Sequence, residues 1–390
     1  MSRERKIVLM AVAFVLAVVL CLSITSIAIA DEVTAAAISK TLQMPIGTTT
    51  PTASFKFAVT GVSVNGDEDT KPPAVGGSFT IDFDALDTGI ISGDVKTVVK
   101  ESPSIFADTT FTSAGVYEYT VTETAGTWST FRETMVYSQA SYTLKVYVKD
   151  DGVAPNVIYI DNITATKTHN DAGDEVSAKV DPTPGDSEMV FVNTFIKQGT
   201  GTEPDPDDSS LIIKKTVSGD YASVTTPFSF SVMVTAPSLV SGSPTYHAYI
   251  MPAGTTQITF TSGVAETVQL KANEYIMFID LHVGTSFTVT ETGVAGYEPT
   301  AEVLLTAGGG TVTGTAGNDL TIPGGNMPDV LRVGEKNMSS NIASFNNDLD
   351  TPPDSGIFIE YLPYIGIFTL CIGGLVAYVA MKQRERRVQA

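Results

Sequence analysis

The sequence predicts an all-β protein with two consecutive β-sandwich domains. Short runs of alternating apolar and polar residues recur along the chain, and turn-forming residues separate them, which is the pattern of half-buried strands. Residues that favour strands, such as Thr, Val and Phe, are plentiful, and long helical periods are missing from the middle of the chain. One strand sequence, Thr-Val-Thr-Glu-Thr, occurs at 120–124 and again at 288–292. This repeat indicates an internal duplication.

Composition and charge exclude several classes of function. The chain has 390 residues, of which 43 are acidic and 23 basic, and its formal net charge is −20. A negative body is repelled by phosphate backbones, so we expect no nucleic-acid partner. The two cysteines, Cys21 and Cys371, lie in apolar segments near the ends. The middle of the chain must therefore hold its strands together without disulfides.

Residues 1–30 have the three parts of a secretory signal peptide. Basic residues at positions 3, 5 and 6 precede the apolar run 7–22, and residues 28–30 form a small-x-small cleavage site. We predict that this segment is removed. The alternative is an uncleaved membrane anchor.

Residues 351–390 combine a Pro-containing pentapeptide, an apolar segment and a basic tail. Residues 362–381 predict a transmembrane helix, and the basic residues that follow predict a cytoplasmic tail. With residues 352–356 in front, this order resembles the cell-wall sorting signal of Gram-positive surface proteins. The resemblance implies that a sortase cuts between Ser355 and Gly356 and passes the Ser355 carbonyl to an amine. A plain single-span anchor is the alternative.

The middle of the chain divides into two units of similar plan, residues 31–197 and residues 210–350. Segment 198–209, which joins them, is acidic and lacks apolar residues from 199 to 208, so it predicts a short extended linker. Calcium binding by its acidic side chains is the alternative, but no glycine-turned ligand loop is visible. We predict no metal site and no cofactor.

Each unit carries a lysine, a glutamate and an asparagine, in that order, on strand faces that are otherwise apolar. The six residues are Lys40, Glu123 and Asn193 in the first unit and Lys215, Glu291 and Asn347 in the second. One such residue could lie at a strand edge with its polar tip in water. The same three residue types in the same order, twice, favour a buried site in each unit.

The chemistry of such a trio follows from burial. Apolar surroundings favour the neutral forms of an amine and of a carboxyl group. A neutral lysine is a nucleophile, and a protonated glutamic acid can donate a hydrogen bond to the asparagine carbonyl and polarise it. Attack of the amine with loss of ammonia gives an amide between the two side chains. The sequence therefore predicts self-made Lys–Asn crosslinks and no turnover of an outside substrate.

The sequence around both glutamates resembles known Gram-positive surface domains. Residues 115–123 and 191–194 look like the streptococcal pilin isopeptide-linkage domain. Residues 215–219, 280–281, 284–285 and 296–297 are similar to the related B-type domains of adhesins and pilins. The resemblance implies two tandem immunoglobulin-like sandwiches, each with one Lys–Asn bond.

The resemblance also assigns the partners of each bond. It implies a bond from Lys40 to Asn193 that Glu123 catalyses, and a bond from Lys215 to Asn347 that Glu291 catalyses. Asn346 is the alternative to Asn347. We choose Asn347 because it shares a strand face with Phe345.

These features together predict a cell-surface structural protein, either a pilin subunit or a wall-anchored stalk. Its partners would be a sortase and either peptidoglycan or other pilin subunits. Lys179 is our candidate for the lysine that accepts the sortase product, with an ordinary solvated lysine as the alternative.

Two other functions are the alternatives to this prediction. A membrane-anchored adhesin for a host surface ligand would need an exposed apolar groove or an inserted domain, and neither is evident in the sequence. A secreted hydrolase would need a partner for one of its histidines, but His169, His247 and His282 have no convincing Ser or Asp spacing.

Overall fold

The computed structural model describes residues 32–76, 79–128, 130–153, 155, 157–199, 210–254, 256–306, 308–335, 341–350 and 358–388. Three predictions lie outside these residues: the signal peptide, most of the acidic linker, and the cleavage site at Ser355 and Gly356. The predicted all-β class and the two tandem sandwiches are confirmed.

The first domain is a sandwich of two sheets. Its strands are β1 (Ser39–Pro45), β2 (Ala53–Val64), β3 (Phe79–Phe83), β4 (Ile90–Ser92), β5 (Val95–Glu101), β6 (Gly115–Thr124), β7 (Glu133–Val136), β8 (Ser141–Asp150), β9 (Ile158–His169), β10 (Glu175–Val180) and β11 (Val190–Lys197). In the described part of the chain, one sheet has the order β4-β5-β1-β11-β7 and the other has the order β10-β9-β8-β6-β2-β3. Inward-facing residues of both sheets share one apolar core, which includes Phe55, Tyr119 and Phe191.

The second domain is also a sandwich of two sheets, but the strands at the edges of its sheets differ from those of the first domain. Its strands are β12 (Leu211–Ser218), β13 (Phe228–Thr235), β14 (Thr245–Met251), β15 (Gln257–Thr261), β16 (Ala265–Leu270), β17 (Tyr275–Phe278), β18 (Ser286–Glu291), β19 (Glu298–Leu304), β20 (Gly310–Thr313), β21 (Leu320–Ile322), β22 (Leu331–Arg332) and β23 (Ile342–Asp348). Among the described residues, one sheet has the order β15-β14-β17-β12-β23-β19-β20. The other has the order β16-β13-β18-β21, with β22 also paired to β18. A second core, separate from the first, fills the space between these two sheets.

In both domains the first strand pairs with the last strand in parallel. In the first domain β1 pairs with β11, with Lys40 opposite Phe191 and Leu42 opposite Asn193. In the second domain β12 pairs with β23, with Lys215 opposite Phe345. Parallel neighbours cannot be joined by a tight hairpin, so the rest of each domain forms the connection between these two strands. In each domain the first and last strands are therefore neighbours in one sheet.

The two domains contact each other directly. A carboxylate of the second domain, Glu335, accepts hydrogen bonds from the backbone N–H and the hydroxyl of Thr49 at 3.0 and 2.7 Å. A carboxylate of the first domain, Asp94, accepts the same pair from Ser238 at 2.7 and 2.8 Å. The contact is therefore reciprocal.

The last described element is the helix α1 (Phe358–Val388). In the portion of the chain that the structure describes, no helix is both long enough and apolar enough to cross a membrane. The transmembrane span predicted over 362–381 is therefore not confirmed.

Candidate functional site

The structure brings Lys40, Glu123 and Asn193 together between the two sheets of the first domain. Lys40 lies on β1 and Asn193 on the adjacent β11, while Glu123 comes from β6 in the facing sheet. The period-two alternation of each strand turns these polar side chains toward the core. The side chains of Lys40 and Glu123 are 0% exposed, and Asn193 is equally buried.

Glu123 bridges the other two side chains of the first site with one oxygen for each. Its Oε2 accepts a hydrogen bond from Lys40 Nζ at 2.8 Å. Its Oε1 accepts a hydrogen bond from Asn193 Nδ2 at 2.7 Å. The carboxyl group therefore contacts the amine that would attack and the amide nitrogen that would leave.

This geometry differs from the sequence-based expectation that Glu123 donates to the asparagine carbonyl. Asn193 Oδ1 instead accepts the backbone N–H of Ser138 at 2.7 Å. A backbone N–H is always a donor, so it fixes which end of the amide faces it. The carbonyl oxygen turns toward Ser138, and the nitrogen is left for Glu123.

The second site has the same three residue types but a different hydrogen-bond pattern. Lys215 Nζ and Asn347 Nδ2 both lie 2.8 Å from the same oxygen, Glu291 Oε1. Among the described residues, Glu291 Oε2 and Asn347 Oδ1 have no hydrogen-bond partner, and the contact of Lys215 Nζ lacks hydrogen-bond geometry. All three side chains are at most 1% exposed. Burying a polar atom without a hydrogen-bond partner raises the free energy of the folded state, so these atoms destabilise the second site.

Burial shifts the protonation equilibria of both sites toward neutral groups. Desolvation lowers the pKa of Lys40 to about 8, against the opposing attraction of Glu123. It also lowers the pKa of Lys215 to about 8, against Glu291. Desolvation raises the pKa of Glu123 and of Glu291, although the neighbouring lysine acts in the other direction. In each site the amine becomes a better nucleophile and the carboxyl group a better proton carrier at neutral pH.

Aromatic rings line both sites at matching positions. Lys40 Nζ lies 4.6 Å from the centre of the Phe55 ring, and Lys215 Nζ lies 4.2 Å from that of Phe228. Two residues further along the same strands, a second phenylalanine packs on the last strand of its domain, at 5.1 Å between rings in the first domain and 5.3 Å in the second. These rings come from Phe-x-Phe strands, residues 55–57 and 228–230, whose part in the sites sequence reasoning missed. Both Phe-x-Phe strands precede a repeated glutamate strand in the sequence, and this shared order could have indicated their part in the sites.

The two neighbouring asparagines of β23 have separate surroundings. Asn347 is 1% exposed and donates to Glu291. Asn346 faces the other side of the strand, where its Nδ2 donates to Ser218 Oγ at 2.9 Å. The structure therefore places Asn347, and not Asn346, beside the carboxyl group of Glu291.

Lys179 belongs to neither trio and lies on the exposed edge strand β10. It lines an open groove of about 690 Å³, together with Lys145, Asp161 and Glu188. Polar and apolar groups contribute about equally to the groove wall. Lys179 is therefore accessible to a partner chain and has no part in the buried chemistry.

The histidines have structural contacts. His247 Nδ1 lies 2.7 Å from Asp280 Oδ2, and Asp280 also accepts the backbone N–H of His247. The half-buried His282 ring contacts the hydroxyl of Tyr246 at 2.9 Å. In the described ranges, no group of three or more His, Cys, Asp or Glu is placed to hold a metal ion.

The arrangement of each trio suits formation of an amide between lysine and asparagine. The nucleophile, the acid–base group and the leaving nitrogen are held together in a site that excludes water, so the reaction needs no encounter between separate molecules. Loss of ammonia would leave a covalent bond between the first and last strands of the domain.

Two family models match the chain, one in each domain. Residues 36–196 match the family described as the Spy0128-like isopeptide containing domain. The first domain is therefore similar to domains of this isopeptide-containing class. Residues 209–322 match a family described as a domain of unknown function, DUF7601.

Solved structures with similarity to the chain include pilus proteins. The major pilin from Streptococcus pyogenes is 21% identical, with 81% of this chain and 99% of that chain covered and a TM-score of 0.32. The pilus-presented adhesin Spy0125 (Cpa) is 11% identical, with 81% and 100% covered and a TM-score of 0.25. Among the curated proteins none matches the chain.

Proposed function

We propose that this protein is a structural subunit of a bacterial surface fibre, a pilin whose two domains each form a Lys–Asn isopeptide bond. The single observation that carries the proposal is the pair of buried trios, each of which links the first strand of its domain to the last. The match of the first domain to an isopeptide-containing family supports the same reading. On this proposal the only chemistry of the chain is its own crosslinking.

Mechanical load explains why a fibre subunit would use such bonds. Force on a fibre enters each domain at its ends, and the hydrogen bonds of a β-ladder can break one after another. A covalent bond between β1 and β11, and another between β12 and β23, would carry the force between the ends of each sandwich. The direct contacts between the two domains support a stiff subunit, since they limit bending at the junction.

Attachment and assembly are the finer part of the proposal. A sortase would cleave between Ser355 and Gly356 and transfer the new carboxyl end to a lysine of another subunit or to peptidoglycan. Lys179 is the proposed acceptor in polymerisation because it is exposed and lies in a groove with room for an extended peptide. The proposed location is therefore the cell surface, with wall attachment through the sortase.

Intact-mass measurement of the folded full chain tests the crosslinks. The wild-type mass should be lower than the sequence mass by one ammonia per bond, hence by two, after allowance for any removed signal segment. Peptide mapping should then find Lys40 joined to Asn193 and Lys215 joined to Asn347.

Two single variants locate each bond. Glu123→Ala should restore one ammonia and release the peptides of the first site only, and Glu291→Ala should do so for the second site only. The matched control is Glu118→Ala, on the same strand as Glu123 but at the surface, which should leave both bonds intact. A wild-type mass equal to that of the plain sequence, in folded protein, would refute the proposal.

A further inference from the structure

The first site contains a group that the simple trio does not account for. Formation of the bond requires three groups at the Asn193 amide. These are a nucleophile that attacks its carbon, an acid that protonates its nitrogen and a hydrogen-bond donor that stabilises its oxygen. Lys40 and Glu123 supply the first two. The hydrogen bond from the Ser138 N–H to Asn193 Oδ1, at 2.7 Å, supplies the third.

We propose that the backbone N–H of Ser138 is the oxyanion donor of the first site, and that Asp171 is the positioning residue that holds it there. This inference rests on the proposed function, because it describes how one of the two proposed bonds forms. It assigns to a loop outside the trio a direct part in the reaction.

The proposed reaction joins Lys40 Nζ to Asn193 Cγ and releases Nδ2 as ammonia. The neutral amine of Lys40 attacks Cγ of Asn193, and the electron pair of the carbonyl moves to Oδ1, where the Ser138 N–H stabilises the negative charge. The protonated Oε1 of Glu123 gives its proton to Nδ2, and Oε2 takes one from Nζ. The bond from Cγ to Nδ2 then breaks, ammonia leaves and the carbonyl forms again. Glu123 ends with the proton count with which it began.

Asp171 ties the donor loop to the strand that carries Asn193. Its Oδ1 accepts the Ser138 hydroxyl at 2.6 Å and also the backbone N–H of Val192 at 2.7 Å. Its backbone carbonyl accepts the N–H of Gln139 at 3.1 Å. Asp171 thus holds the loop at Ser138 and Gln139 and also holds Val192, the neighbour of Asn193 on β11. Such double anchoring holds the donor within the short range that catalysis requires.

The second site offers an internal comparison. Among the described residues, Asn347 Oδ1 has no hydrogen-bond donor, and Glu291 Oε2 has no partner either. The natural donor to Asn347 Oδ1 there is a protonated Glu291, with only a small movement of either side chain. The two sites would therefore stabilise the same intermediate in different ways, the first by a backbone N–H and the second by its glutamic acid.

Refolding kinetics test this assignment with both sites in one sample. Full chain that has not yet formed crosslinks, shown by an intact mass equal to that of the plain sequence, is diluted from urea into buffer. Samples quenched in acid are then digested so that peptide masses report each crosslink separately. Ser138→Pro removes the N–H. We expect the first crosslink to form at least about a hundredfold more slowly in this variant, as for loss of one oxyanion donor. The second crosslink should keep its wild-type rate.

Variants of Asp171 test positioning by rescue. Asp171→Ala removes the anchor and should slow the first crosslink roughly ten- to a hundredfold. Asp171→Asn keeps an oxygen that accepts from Ser138 and Val192, so it should restore most of the rate. A purely structural role would show instead as lower thermal stability. Each variant is therefore also unfolded in a Glu123→Ala background, where no first crosslink can form, so that the stability lost with the Asp171 hydrogen bonds is measured separately. The slowing of the first crosslink should exceed what incomplete folding at that stability would produce.

The outcomes separate this inference from the proposed function. Absence of both crosslinks from the wild type would overturn the proposed function and this inference with it. Normal wild-type crosslinks, together with an unchanged first-site rate in folded Ser138→Pro, would overturn this inference alone. If Ser138→Pro does not fold, the Asp171 pair decides, because equal rates for Asp171→Ala and the wild type contradict the assignment. Equal slowing of both sites would also contradict it.

Discussion

Asn193 pairs with Leu42 across two parallel strands. Because Leu42 and Lys40 are two residues apart on one strand, Asn193 lies on the same face as Lys40, offset from it by two residues. In the second domain, Asn347 pairs with Val217 and is offset from Lys215 by two residues in the same way. The offset allows the long lysine side chain to lean along the strand toward the shorter asparagine. The carboxyl group from the facing sheet then reaches both. This common register gives the two unequal sandwiches the same candidate chemistry.

Loss of the first crosslink should lower the stability of the first domain. In Glu123→Ala we expect the free energy of unfolding to fall by roughly 4–5 kcal/mol, because the bond would close a loop of most of the domain in the unfolded chain. Chemical unfolding followed by circular dichroism measures the change. Glu118→Ala is the control, since Glu118 pairs with the half-exposed Lys145 at the surface. A fall no larger than in this control would contradict a covalent closure.

The rate of first-site crosslinking should fall at both ends of the pH range. The reactive pair, Lys40 and Glu123, holds one proton between its two groups. Burial lowers the pKa of Lys40 to about 8, so above that pH this proton is lost and no acid remains for the leaving nitrogen. In acid, below the raised pKa of Glu123, both groups are protonated and the amine cannot attack. Refolding at a series of pH values, with crosslinks measured by mass, should give a maximum below about pH 8.

A different profile would refute this origin of the pH dependence. A lysine with an ordinary pKa, near 10.4, would give a rate that keeps rising through about pH 10. That result would mean that the amine reacts from a solvated state and not from the buried pair.

The two asparagines of β23 should differ completely in their effect on the second crosslink. Asn347→Ala removes the amide beside Glu291 and should restore one ammonia to the intact mass. Asn346→Ala is the matched control, and it should leave the mass loss unchanged because Asn346 bonds Ser218 on the other face. Loss of the second crosslink in Asn346→Ala alone would reverse the assignment.

Polymerisation should depend on Lys179. In cells that contain the cognate sortase, the wild type should give a ladder of species that resists boiling detergent. Lys179→Arg keeps the charge but removes the primary amine, so the ladder should disappear. Lys149→Arg is the control, because Lys149 is also exposed on the same sheet. A ladder that persists in Lys179→Arg would place the acceptor at another lysine.

The alternation of residues was enough to predict the fold class and to select the six residues of the trios. Side chains two apart on a strand point to the same face, so the apolar neighbours of Glu123 and Glu291 already turn each glutamate inward. The same rule chose Asn347 over Asn346. These inferences needed only local geometry, because the strand period is a property of the backbone.

The three-dimensional structure alone decided how the reacting atoms meet. Which strands lie side by side depends on the packing of whole sheets, so the parallel pairing and its common offset could not be derived from the chain in order. The orientation of the Asn193 amide depends on the Ser138 N–H, and Ser138 depends on Asp171, which comes from a turn between two other strands. A backbone N–H carries no signature in the sequence, because every residue except proline has one. Its role arises only where folding aims it at a particular oxygen.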